Sequence, residues 1–126
     1  MERTIRIKVG RIVVTAELNN TMTAQAIWEA LPIKGEANRW GDEIYFSIPL
    51  GLEEENAQEV VGMGDLGYWP PGTALCIFFG PTPASKGDEI RPASPVNIFG
   101  NIKSGTNVLK RVKPGAKIVI DKGSQG

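Results

Sequence analysis

The sequence predicts an all-β protein: a closed antiparallel barrel of eight strands, with one short helix after the first hairpin and a second helical turn near the C-terminus. Three observations predict it. Apolar residues recur with a period of two in several short runs. Fifteen Gly and nine Pro among 126 residues cut the chain into segments too short for long helices. Only one stretch keeps a helical period for more than two turns. Residues 1–126 read as a single domain, long enough to bury roughly two-thirds of the unfolded surface.

In TIRIKV, Ile5, Ile7 and Val9 alternate with Thr4, Arg6 and Lys8, which marks a strand with one face in a core. After Gly10, RIVVTAEL repeats the pattern with Ile12, Val14, Ala16 and Leu18 inward, so a glycine-centred hairpin joins the two. NNTMTAQAIWEALP then changes period. Ala24, Ile27, Trp28 and Leu31 share one helical face, Thr21 or Thr23 caps the start, and Pro32 closes it. GEANRW and EIYFSIP form a second hairpin across Gly41-Asp42, with Ile44, Phe46 and Ile48 on one face and Glu43, Tyr45 and Ser47 on the other. GLEEENAQ is an acidic surface loop or short turn. TALCIFF is apolar at both parities, so it is a central strand covered on both sides or one whose outer face lines a cleft. VNIFGNI is a further strand, NVLKRV a turn or two of helix, and AKIVIDK the last strand before a tail, GSQG, without structure.

Composition narrows the chemistry. There is no histidine, which removes Ser-His-Asp and Cys-His nucleophiles, imidazole acid–base work and histidine metal sites. The single Cys76 can form neither an intrachain disulfide nor a zinc knuckle, and inside ALCIFF it reads as a packed thiol. No metal and no cofactor are expected. The longest strongly apolar run, ALCIFF, is far short of a membrane span or signal core, and a cytoplasmic location without membrane attachment is expected.

Charge is balanced overall but unevenly spread. Residues 1–11 and 101–126 hold ten bases against two acids, +8, and residues 12–100 hold four bases against twelve acids, −8. Solvated strand faces explain this, with Lys guarding a margin. Without an aromatic–basic ladder, the pattern weighs against a nucleic-acid partner, although docking of a partner protein stays open.

GMGDLG, residues 62–67, satisfies G-x-G-x-x-G, yet YWPPG follows where a dinucleotide site needs a helix, so the match is accidental. Glu53, Glu54 and Glu55 are consecutive and diverge, which suits a solvated turn better than a cation site. Asp42, Glu43 and Asp65 flank tryptophan-bearing turns and are read as ion-pair partners for Arg39 or Arg91. In GYWPPGTALCIFFGPTP, Pro70, Pro71, Pro81 and Pro83 stiffen both ends of the central run. Tyr68 and Trp69 then sit at a barrel rim, either plugging the barrel end or offering rings to a ligand.

That stretch, with RWGDEIYFSIP at residues 39–49 and VNIFGNIKSGTNVLKRV at 96–112, resembles the small cyclophilin-like proteins of bacteria and archaea. These are stand-alone domains with the cyclophilin barrel and no settled activity. The likeness runs from about Ile5 to Asp121 and implies that barrel with an external groove. True cyclophilins resemble the chain more distantly, through Phe99-Gly100-Asn101-Ile102, Val108-Leu109 and Pro49. Their isomerase arginine lies on the strand that here reads EIYFSIP, which contains none, and their aromatic–histidine pair falls where this chain reads RPASPV, Arg91 to Val96.

The resulting expectation is a binding module without the usual prolyl isomerase residues, its groove holding a peptide or small molecule. Tyr45, Met63, Trp69 and Phe78 are the expected walls, and Arg39, Arg91 and Asn97 the polar fixings. One alternative is weak prolyl isomerisation, with Arg39 or Arg91 replacing the absent arginine in an apolar pocket. Another, from related barrels, is an accessory subunit of an amide- or urea-hydrolysing enzyme. The sequence sets no oligomeric state.

Overall fold

The computed structural model describes residues 3–123, so the start of the first segment and the end of the GSQG tail lie outside the described residues. Nine strands form one sheet in which every neighbouring pair is antiparallel. In chain order they are β1 (Arg3–Val9), β2 (Ile12–Leu18), β3 (Ile33–Glu36), β4 (Asn38–Arg39), β5 (Glu43–Ser47), β6 (Asp65–Trp69), β7 (Ala74–Phe78), β8 (Asn97–Ile102) and β9 (Lys117–Lys122). Their order across the sheet is β3-β9-β1-β2-β8-β6-β7-β5-β4.

The two outermost strands, β3 and β4, are consecutive in sequence with only Ala37 between them, so the sheet curls until its margins are one stretch of chain. Counted as one interrupted strand, they give the eight staves expected. The interruption has a local cause. Ala37 is buried, donates its N–H to the Ala116 carbonyl at 2.8 Å and accepts from the Gly115 N–H at 2.7 Å, which ends the run along β9. The next two residues pair with β5 instead. At this seam the Phe46 ring crosses directly over Gly35, where an added Cβ would lie 2.6 Å from ring carbon Cδ2. Only glycine leaves the ring that path.

Alternation sets the interior. Ile5, Ile7, Val9, Val14, Ala16, Leu18, Ile44, Phe46, Leu75, Ile77, Phe99, Ile118 and Ile120 are all buried and belong to one core cluster, filling the barrel with side chains. The first hairpin turns on Gly10 (φ 60°), with Val9 opposite Ile12. β9 pairs with β1, so the basic terminal segments do lie side by side.

Helix α1 (Met22–Ala30) starts at Thr21, whose side chain accepts from the Ala24 N–H at 3.1 Å, and buries Ala24 and Ile27. Trp28 stays half-buried, with the Arg3 and Lys122 cations 5.9 and 4.8 Å from its ring centroid. The helix N-terminus receives a second acceptor from far along the chain. Glu55 takes the Met22 and Thr23 N–H groups at 3.0 and 2.9 Å and the Thr23 hydroxyl at 2.7 Å. These bonds hold its carboxyl below the usual range, the Thr23 hydroxyl foremost. One of the three glutamates of the acidic loop is therefore a helix cap contributed from 32 residues further along the same chain. The helical turn expected near the C-terminus is a 3₁₀ turn at Thr106–Arg111.

β6 departs from the sequence reading, which had a turn there. Gly67 interrupts the apolar alternation, and the β6–β8 register shifts between Leu66 and Gly67. As a strand, β6 sends its two rings to opposite sides. Tyr68 points into the barrel, fully buried, with its hydroxyl donating to the Leu50 carbonyl at 2.7 Å and accepting from the Leu52 N–H at 3.0 Å. Trp69 points outward. The expectation that both rings share a rim is corrected by this alternation. GMGDLG likewise leads into a strand, not a helix: Gly64 turns at φ 85° and Asp65 accepts from the Gly62 N–H at 2.7 Å.

β7 is the central strand predicted, between β5 and β6, with all five residues buried. Its outer side carries Ala74, Cys76 and Phe78, which join Val61, Ile90 and Val96 in a second apolar cluster outside the barrel wall. The chain from Phe79 to Val96, with Val61 bridged to Ile90, supplies that cover. Among the described residues, no helix is long and apolar enough to cross a membrane.

Candidate ligand pocket on the outer face of the barrel

Where this outer cover meets the sheet, it leaves a cavity of about 280 Å³. Glu43 and Tyr45 project into it from β5, because alternation has already committed Ile44 and Phe46 to the interior. Cys76, directly opposite Tyr45 on β7, completes the floor. Trp69 and Trp40 form two aromatic walls, and Pro92, Ala93 and Val96 close the remaining side.

Trp69 is fixed from two directions. Its Nε1–H donates to the Ser94 hydroxyl at 2.6 Å, and its ring lies on Gly72, where an added Cβ would be 2.6 Å from Cε3 and Cζ3. The Pro70–Gly72 3₁₀ turn thus ends on the residue that lets the indole lie flat. The prolines stiffen the turn and the glycine seats the ring.

Glu43 is only 6% exposed, and its Oε1 has no hydrogen-bond partner among the described residues. Burial pushes the carboxyl up to about 7, while a contact with the Cys76 thiol pulls it the other way. Burial, then the neighbouring Glu43, raises the Cys76 thiol well above its ordinary value. Cys76 therefore stays protonated and is no nucleophile at neutral pH.

The carboxyl has a consequence for stability. Its folded pKa lies above the unfolded 4.5, so the advantage of the neutral form is complete below pH 4.5 and is lost as pH rises through about 7. The displacement corresponds to on the order of 3 kcal/mol. Glu43→Gln removes this dependence. Urea unfolding at pH 5 and pH 8.5 is expected to show the variant gaining up to about that amount on the wild type at the higher pH. An equal difference at both pH values would mean that Glu43 ionises normally.

Of the seven residues expected from sequence, the cavity brings together Tyr45 and Trp69. Arg39 is turned away. Its guanidinium donates to the carbonyls of Gly41, Lys110 and Val112, pairs with Asp42 at 3.2 Å and stands 5.0 Å from the Phe79 ring centroid. Arg91 pairs with Glu89 at 3.2 Å while its carbonyl accepts from the Thr82 hydroxyl, bracing the loop after β7. Asn97 is buried on the helix side, donating to the Thr23 hydroxyl and the Glu53 carbonyl at 3.1 and 2.9 Å and accepting from the Glu55 N–H at 2.8 Å. Phe78 lies fully buried in the outer cluster beneath the loop, and Met63 is exposed on the turn before β6.

The ion-pair expectation also divides. Asp42 answers Arg39 and Lys110, but among the described residues neither Asp65, which accepts from Asn101 and the Gly62 N–H, nor Glu43 pairs with a cation. Trp40, Glu43, Cys76, Pro92, Ala93 and Val96 were absent from the sequence-based site. Only the shared parity of Glu43 and Tyr45 on one strand signalled any of them.

A family model described as Cyclophilin-like matches residues 3–121. Among solved structures, the chain is similar to the solution structure of the hypothetical protein AF2241 from Archaeoglobus fulgidus, at 44% identity and a TM-score of 0.81. That match covers 97% of this chain and 95% of the archaeal one. Among curated proteins, none matches. The interrupted eight-stave barrel, a family match over nearly every described residue and 44% identity across 97% of the chain lead to one conclusion: the chain belongs to the cyclophilin-like family.

Proposed function

We propose that the protein is a binding module whose outer-face pocket takes a small organic group, presented by a small molecule or by a side chain of a peptide. The carrying observation is an apolar, preformed cavity containing a buried carboxyl with one unpartnered oxygen. Such a group costs free energy unless a ligand meets it, and native sites that keep one commonly use it. At about 280 Å³, the cavity is at the low end for ligand sites, which favours a fragment-sized occupant over an extended chain. Trp69, locked by Ser94 and Gly72, loses little freedom when a ligand packs on it. Both arginines that an isomerase reading would recruit are engaged outside the cavity, which favours binding without chemistry.

A fragment library followed by amide chemical shifts and thermal stability tests this reading. Binders are expected to raise the melting temperature and to shift amides of β5, β7 and residues 92–96. Trp69→Ala is expected to weaken them by roughly tenfold or more, as loss of a central aromatic anchor does. Hits that map elsewhere, or affinities indifferent to Trp69→Ala, would remove the pocket from consideration.

A further inference from the structure

The pocket's charge inventory is one-sided. Its lining contains one carboxyl and no Lys or Arg, and three of its eight residues are aromatic: Trp40, Tyr45 and Trp69. Indole and phenol faces carry the negative end of a quadrupole and attract cations, most strongly where water is excluded. Neither arginine beside the pocket joins its lining: the Arg39 guanidinium is held by three backbone carbonyls and Asp42, and that of Arg91 by Glu89. From these placements, and resting on the binding reading above, we infer that the pocket selects an alkylammonium group, its charge set against Glu43 and its methyl or methylene groups against the indoles.

The size fits. An ammonium nitrogen with three or four small substituents fits inside a cavity of this volume with room for the chain that carries it, whereas a hydrated inorganic ion would leave the aromatic walls unmatched. The groups facing Glu43 permit a simple proton linkage. Tyr45 on the same strand and Cys76 on β7 are the other titratable lining residues, while Trp40, Trp69, Pro92, Ala93 and Val96 do not titrate. The thiol stays neutral because its pKa is raised. A cation binds the ionised carboxylate, so a carboxyl that titrates at about 7 when the pocket is empty makes affinity rise with pH.

Three probes decide the matter by amide shifts and tryptophan fluorescence. Choline carries a permanent charge, and 3,3-dimethylbutan-1-ol is its neutral isostere. Nα-acetyl-Nε-trimethyl-lysine methylamide presents the same cation on a peptide side chain. Choline is expected to bind at least about tenfold more tightly than the neutral alcohol, and about tenfold more tightly at pH 8 than at pH 6. Glu43→Gln, which the stability argument predicts to fold, should abolish the pH difference and reduce the preference for choline over the alcohol to what the aromatic walls supply. Tighter binding of the lysine derivative than of choline points to a methylated side chain as the source, and the reverse points to a free small cation; either supports the ammonium assignment. Equal affinity for choline and the alcohol at the pocket would overturn the assignment while leaving the binding site intact. Absence of binding by all three also overturns it, and the library screen then judges the site separately.

Discussion

Gly100→Ala is expected to lower the unfolding free energy by about 3 kcal/mol, the upper part of the range for overpacking a closed core. Gly100 lies on β8 with Leu18 of β2 on one side and Leu66 of β6 on the other. An added Cβ there would stand 2.7 Å from the Glu17 carbonyl oxygen and 3.2 Å from both Leu18 Cδ2 and Leu66 Cδ1. The two leucines can turn, but the carbonyl belongs to the neighbouring strand's backbone and yields only if that strand moves. Denaturant unfolding measures the effect, with Gly51→Ala as the control, since nothing lies within 4 Å of the position its Cβ would take. If both variants stay within about 0.5 kcal/mol of wild type, the close approach of β2 and β8 is wrong.

Asn97→Ala is expected to cost about 3 kcal/mol and to leave ligand binding in the pocket unchanged. Its side chain makes three hydrogen bonds in a buried position, to Thr23 on helix α1 and to Glu53 and Glu55 in the acidic loop. Removing it takes their partner from the Glu55 N–H and the Glu53 carbonyl, each costing about 1–3 kcal/mol when left unpaired, while the Thr23 hydroxyl keeps its bond to Glu55. Because Glu55 also caps the helix, hydrogen exchange at Met22 and Thr23 should rise together with that of Glu55. A loss below about 1 kcal/mol, with exchange unchanged, would show that the loop is held by other means.

These two positions show what the sequence makes legible. Strand parity is local, so Ile5, Ile7, Val9, Ile44, Phe46 and Ile48 declare their side of the sheet at once, and all six are buried. The unbroken apolarity of TALCIFF similarly announces a doubly covered strand. β6 was missed because Gly67 leaves a gap in the alternation, and the proline pair just after it looked like the structural event. Asn97 was expected to face a ligand because a polar residue heading an apolar strand has no local partner. Its partners lie 42 to 74 residues away in sequence.

Glu43 illustrates the same limit from the opposite side. Parity puts it on the outer face, where a carboxylate is ordinarily solvated. It is buried because a loop returning from Phe79 to Val96 lies over that face, and nothing near EIYFSIP announces the loop. Two of the eight lining residues, Tyr45 and Trp69, are readable from ring chemistry beside stiff turns. The other six depend on which distant segment covers which strand.

The hand-over at Ala37 bears on how the protein behaves in company. The outermost strands of the sheet, β3 of four residues and β4 of two, run end to end where Phe46 packs over Gly35, and β2 is paired on one side only over its first four residues. Among the described residues, a foreign strand seeking to extend the sheet at these places finds no ladder longer than four residues to copy, which disfavours fibril growth and peptide capture by main-chain pairing. Such short margins shift the burden of recognition from the main chain to side chains, and give the barrel little with which to template its own aggregation.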